Sequence, residues 1–243
     1  MARFATANDI INRVAVEVGL PKSPDAVGDS DQSFVQLTGL LTSAGQELIE
    51  IAPWEAFSKT IEFTTAASDT GIYPLPDDWA YMTDQTGWDH TNNVPIGGPL
   101  SPQQWSYLLG RNLVSSTIYA SFRLRREFLE LFPSPPPAGL TVRFEYTSRD
   151  WVLLFPSEIT RDTVLAGTDV VLYSPILIVK FLKVKWLEAK GLDASAARLE
   201  FDTMLQSRMG KDKGAPRLNA GRGPQGIPYL NGFSSVPDSG YGF

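Results

Sequence analysis

Residues 174–210 read SPILIVKFLKVKWLEAKGLDASAARLEFDTMLQSRMG, and the rest of the chain is organised around them. Ser174-Pro175 is an N-cap followed by proline at the first helical position, where a missing N–H costs nothing. Ile176, Leu177, Ile178, Val179, Phe181, Leu182, Val184, Trp186 and Leu187 then make the helix apolar on most of its circumference. Lys180, Lys183, Lys185, Glu188 and Lys190 break the run, so it is no membrane span, which needs roughly 20 apolar residues with few charges. Lys190-Gly191 supplies a cation and a C′ glycine as a stop. Asp193 caps a second helix, whose Ala194, Ala197, Phe201, Met204 and Leu205 form one apolar stripe ending at Gly210. A helix as apolar as the first needs partners on several sides.

The partners come from the N-terminus. Thr6 or Asn8 opens a helix carrying Ile10, Ile11, Val14, Ala15 and Val18, closed by Gly19 and Pro21. Ser30 or Asp31 opens a longer one, with Phe34, Leu37, Leu41, Ala44, Leu48 and Ile51 at helical steps, closed by Pro53. Both ends of the chain thus build a four-helix cluster.

Between them the period drops to two. Residues 57–66, 117–125, 127–132 and 140–147 alternate as strands, and 72–76 and 79–83 are short extended pieces. The run Pro133-Ser134-Pro135-Pro136-Pro137 is a stiff turn, and a short helix opens at Ser101. The predicted class is α+β. Residues 1–55 and 169–210 form the helical domain, 56–168 an inserted small antiparallel β domain, and 211–243 an extended tail. That tail holds seven glycines and four prolines and no periodicity, so it cannot order itself alone. Its Tyr229, Phe233, Tyr241 and Phe243 are spaced anchors for another subunit or a partner.

Composition excludes several chemistries. There is no cysteine and one histidine, His90, which removes disulfides, thiolate catalysis and Cys- or His-rich zinc sites. The balance of 27 acidic against 21 basic residues, a net charge of −6, gives no general pull toward nucleic acid. The first residues lack a signal-like apolar run, which points to a cytoplasmic origin. Asp84, Asp89 and His90 are the one acid/base or hard-metal candidate, and aspartates in turn-rich loops ordinarily cap backbone. No nucleophile elbow or phosphate-cradling loop is present. Lys180, Lys183, Lys185 and Lys190 form a stripe for a subunit or phosphates, or a solvated face. Arg123, Arg125 and Arg126 read as surface charges or ion-pair partners at a strand end. No enzymatic signal and no cofactor site emerges.

One ordered set of motifs is familiar: Tyr73-Pro74-Leu75-Pro76-Asp77-Asp78-Trp79, then Gly87-Trp88-Asp89, then Pro95-Ile96-Gly97-Gly98-Pro99-Leu100-Ser101-Pro102-Gln103-Gln104-Trp105. With Asp169 before the Ser174 helix and the Trp186 helix ending in Lys-Gly, it resembles the head-to-tail adaptors of short-tailed bacteriophages, also called tail tubular protein A. The likeness spans most of residues 1–210 and not the tail. It implies a structural virion protein with no enzymatic role, assembled and located at the portal vertex. Its partners would be the portal protein, the tail nozzle protein and further copies of itself in a ring of twelve. The genomic DNA would pass as cargo through a channel that the acidic chain repels. The alternative from another class is a β-sandwich recognition module, with Trp79, Trp88 and Trp105 as sugar-stacking platforms; the simpler reading puts those rings in the core.

Overall fold

The computed structural model of the chain describes residues 4–83, 86–110 and 120–212. β1 (Ala5–Thr6) leads into α1 (Ala7–Glu17), and α2 (Gln32–Ile51) follows. The middle holds β2 (Ser58–Thr64), β3 (Ile72–Pro74), β4 (Trp79–Met82), β5 (Trp88–Asp89), β6 (Val94–Pro95), α3 (Pro102–Gly110), β7 (Ser121–Arg125), β8 (Phe128–Phe132) and β9 (Thr141–Ser148). Next come β10 (Val152–Leu153), β11 (Thr160–Arg161) and β12 (Val170–Val171), then α4 (Pro175–Ala189) and α5 (Ser195–Asp212). Helices and small antiparallel sheets with separate roles make this the expected α+β fold.

Local chemistry sets the helix ends. Thr6 Oγ1 accepts the Asp9 N–H at 3.2 Å, and Asp31 Oδ1 accepts the Ser33 N–H at 2.7 Å, each satisfying an orphan donor of a first turn. Ser101 and Gln104 bond reciprocally to each other's N–H at the start of α3, a capping box. At the end of α4, Gly191 sits at φ +68°. Its N–H reaches the Glu188 carbonyl, and the Leu192 N–H reaches that of Leu187, which is the Schellman arrangement. The last carbonyls of α2 are met by aromatic side chains instead. Trp54 Nε1 donates to the Leu48 carbonyl at 2.7 Å and the Tyr81 hydroxyl to that of Ile49 at 3.2 Å.

α4 is the centre of the helical cluster and packs on α1, α2 and α5. It buries Leu177, Ile178, Val179, Phe181, Leu182, Val184 and Trp186 on nearly every side. Gly45 of α2 lies against the indole of Trp151, and the Tyr173 hydroxyl donates to the Gly45 carbonyl at 2.7 Å. A four-stranded sheet of two-residue strands, ordered β1-β12-β10-β11, lies on this cluster. Trp151, Val152 and Val164, which fall in the segment read as the insertion, are buried with the helices. A second buried cluster, around Phe122, Leu129, Leu131, Val142 and Phe144, joins a five-stranded sheet on β9 to the three-stranded sheet β3-β8-β7.

Two local expectations are corrected. α5 does not stop at Gly210 but runs to Asp212, so Lys211 and Asp212 are helical. Gly210 has open space around it and a helix tolerates one glycine, while the Asp212 carboxylate ties the end down by accepting the Glu55 N–H at 2.9 Å. On α2 the apolar stripe ends with Ile49, which is buried, and Ile51 is exposed.

Candidate functional site

The acid/base candidate separates on inspection. Asp84 lies outside the described residues, and His90 is exposed. Asp89 is buried, and its carboxylate accepts the Thr91 and Asn92 N–H groups and the Asn92 side-chain amide. It is a turn cap, with every close partner a donor from its own loop. Among the described residues no three of His, Cys, Asp and Glu are grouped to hold a metal ion.

The lysines of α4 are not brought together either. Lys180 pairs with Glu200 of α5 at 2.6 Å, Lys183 with Glu17 of α1 at 3.3 Å, and Lys185 with Glu47 of α2 at 2.6 Å. Lys190 lies over the Trp186 ring at 4.4 Å. The ammonium groups of Lys180, Lys183 and Lys185 reach across to neighbouring helices, while that of Lys190 stays over its own. The stripe thus ties α4 to the three helices around it. Tyr229, Phe233, Tyr241 and Phe243 lie outside the described residues.

Two of the three tryptophans proposed as sugar platforms are occupied. Trp105 is buried, with the Arg123 guanidinium 4.5 Å above its ring. Trp79 stacks on Tyr146 at 5.2 Å and meets Phe144 edge-on. Trp88 is half-buried in β5. Arg123 pairs across the hairpin with Glu130, its register partner, which Arg125 also approaches at 3.9 Å. Arg126 sits at φ +57° in the turn between β7 and β8.

Two carboxylates prove more important than the sequence reading made them. Asp169, buried, pairs with Arg161 and accepts the Leu165 and Ala166 N–H groups, while its own carbonyl accepts the Ala7 N–H. Burial pushes its carboxyl up, and those N–H groups with the guanidinium reverse this, holding it below the usual carboxylate range. Asp78 accepts from Lys59, Tyr146 and Ser148 at 2.6–2.9 Å, and Lys59 also donates to Thr160 of β11. Burial again opposes ionisation there, and the bonds from Lys59, Ser148 and Tyr146 prevail, so this carboxyl too is lowered. The doublet Asp77-Asp78 gave no hint of this, because the partners are far along the chain.

What the surface offers is apolar. Phe155 and Ile159, in the β10–β11 connection, are 69% and 64% exposed, and Leu165, between β11 and β12, is 70% exposed. Elsewhere a cleft of about 410 Å³ opens between Phe4, Trp54, the start of α4 and the end of α5. Such features belong to contacts with other macromolecules more than to catalysis. The family model of the SU10 adaptor protein matches residues 5–225. The chain belongs to this family. It is a phage adaptor, a structural component of the virion, and its surfaces serve other virion proteins. The match passes Gly210 and runs fifteen residues beyond it, to residue 225, into the glycine- and proline-rich segment. No curated protein matches this SU10 adaptor. Among its described residues no helix is long and apolar enough to cross a membrane.

Proposed function

We propose that this adaptor is a head-to-tail connector of a short-tailed phage, akin to tail tubular protein A. It forms a ring of twelve copies beneath the portal vertex after synthesis in the host cytoplasm. The ring joins the portal protein to the tail nozzle protein and continues the channel through which the genomic DNA passes. The observation that carries this reading is the adaptor-family match across residues 5–225. The construction of the chain supports it: α4 is locked to three helices by ion pairs, and large apolar side chains remain exposed on a short loop. The proposed division has a helical unit of residues 1–55 and 169 to the end of α5 at 212, an inserted β unit of 56–168 and a tail beyond 212. In this reading Tyr229, Phe233, Tyr241 and Phe243 anchor the tail along the portal or a neighbouring adaptor.

The test is native mass spectrometry of the purified chain, alone and mixed with the portal ring of the same phage. Binding in a fixed multiple of the portal, lost when residues 213–243 are deleted, is expected. A chain that ignores the portal sinks the reading and moves the question to glycan binding by the β unit. Portal binding that survives the deletion sinks only the role of the tail.

A further inference from the structure

A ring made of one protein needs two different surfaces per copy, one fitting the other on the next copy. The two ends of the small sheet β1-β12-β10-β11 lie beside such a pair. At one end is the loop between β10 and β11. It is held by the Leu154 N–H donating to the Ile159 carbonyl at 2.9 Å, and by the Ser157 hydroxyl donating to the Leu154 carbonyl at 3.0 Å. This fixed loop projects Phe155 and Ile159, 69% and 64% exposed. Between them Glu158 has no ion pair among the described residues.

The second surface is the cleft of about 410 Å³. Its walls include Phe4, Trp54, Tyr173 and the half-exposed Ile176, and its rim carries Arg208 and Lys211. Neither cation has an ion pair among the described residues, and the nearby Asp212 carboxylate already accepts the Glu55 N–H. One surface is therefore two apolar side chains flanking an acid. The other is a recess of mixed lining, with Phe4, Trp54, Tyr173 and Ile176 as its apolar walls and Arg208 and Lys211 outnumbering the Asp212 carboxylate at its edge.

Strand register places the two apart. β10 runs antiparallel to β12 with Val152 opposite Val171 and Leu153 opposite Val170. The loop after Leu153 thus lies at the Asp169 end of the sheet. Leu172 and Tyr173, in the cleft, lie past the other end. Laterally, β11 forms one edge and β1 the other, and Phe4 precedes β1 where Ala5 faces Val171. Loop and cleft sit at diagonally opposite corners. A copy cannot fill its own cleft with its own loop, but a row of copies can fill each other's.

We infer that loop 154–159 of one copy docks into the cleft between the α4 start and the α5 end of the next copy, Phe155 and Ile159 entering the recess and Glu158 meeting Arg208 and Lys211. The inference rests on the ring reading. It commits the cleft to a second copy of this chain rather than to a small ligand.

The absence of cysteine makes the test direct. Ile159→Cys and Ile176→Cys are made separately in the full chain and treated with a short bismaleimide, alone and mixed, with and without the portal. The mixture is expected to give a covalent dimer that neither variant gives alone, and the double variant a ladder of higher oligomers. Glu158→Lys should lower the cross-linked yield about five- to tenfold, and adding Arg208→Glu and Lys211→Glu should restore it. Self-dimers of either single variant as abundant as mixed ones would show a symmetric contact and overturn the inference. A fixed multiple on the portal without the mixed dimer overturns it and leaves the ring standing. A mixed dimer in a chain that ignores the portal keeps this contact and removes the adaptor ring. No mixed dimer in either condition overturns the contact outright.

Discussion

Gly45→Ala and Gly39→Ala are the same change in the same helix, and the structure gives them opposite signs. Gly39 is exposed and an added Cβ meets nothing within 4 Å, so alanine there recovers about 0.5–1 kcal/mol of backbone entropy. At Gly45 the Cβ would lie 2.2 Å from Cε2 and 2.3 Å from Cζ2 of Trp151. Ordinary carbon contact is about 3.5–4.0 Å, so helix and ring must separate by roughly 1.5 Å. The ring has no easy retreat: it is fully buried and its N–H donates to the Asp162 carbonyl at 2.9 Å. Overpacking of this kind costs about 1–3 kcal/mol. Straining the Trp151 and Tyr173 hydrogen bonds adds about 1 kcal/mol each. Subtracting about 1 kcal/mol for helix propensity leaves a net loss of about 2–4 kcal/mol. For a chain of this size each kcal/mol moves the melting point by about 2–4 °C. Denaturant unfolding followed by tryptophan fluorescence measures both variants. A Gly45→Ala protein as stable as Gly39→Ala would refute the close approach of Trp151 to α2.

Further predictions follow from the buried polar groups. Asp169→Asn, which removes the carboxylate facing Arg161, should cost about 2–3 kcal/mol by denaturant titration. Because the Asp169 and Asp78 carboxyls are lowered on folding, the stability they contribute is complete above about pH 4 and is lost as pH falls through their lowered folded values. A melting series in acid should show that drop, and Asp78→Asn should flatten part of it. Replacing Lys180, Lys183 and Lys185 together by Gln should cost about 1–2 kcal/mol, an effect that shrinks in high salt. Tyr173→Phe should cost about 1 kcal/mol by removing a buried donor to the Gly45 carbonyl.

The sequence exposed the helices well because their signals are local. Ser174-Pro175, Lys190-Gly191 and the stripe from Phe34 to Leu48 each lie within a few residues of what they determine, and α4 is surrounded as its composition requires. Strands long enough to alternate, such as β2 and β9, were legible for the same reason. The small sheet was not, since two-residue strands carry no periodicity and their pairings join β1 to β12 across the chain. The roles of the lysines were hidden by a similar distance. Their spacing on α4 looks like one solvated stripe, but an apolar helix with three neighbours directs successive lysines to different helices. Asp78 and Asp169 looked like loop acids because their donors, Lys59, Tyr146 and Arg161, become visible only after folding. The loop 154–159 carries no periodic signal, and the exposure of its Phe155 and Ile159 follows only from the folded arrangement.

The placement of those carboxylates bears on assembly as well as stability. A closed ring fixes the angle between the two contact surfaces of each subunit, and an error in that angle is multiplied by every copy around the circle. In this chain the inferred loop joins two strands of a sheet of very short strands, and the cleft borders the opposite corner of that sheet, which by backbone bonding alone would be pliable. Asp169 stiffens one end of it, bonding Arg161 of β11 and the Leu165 and Ala166 N–H groups, with its carbonyl on the Ala7 N–H where α1 begins. Lys59, held by Asp78, donates to Thr160 and couples the same hairpin to the β2–β9 sheet. The helical side is set by α4, whose first turn walls the cleft and whose lysines fix it to three helices. Loop and cleft are thereby held to one frame by ion pairs within the chain. In the ring reading, the buried polar groups act on assembly through geometry, and the exposed apolar ones through contact.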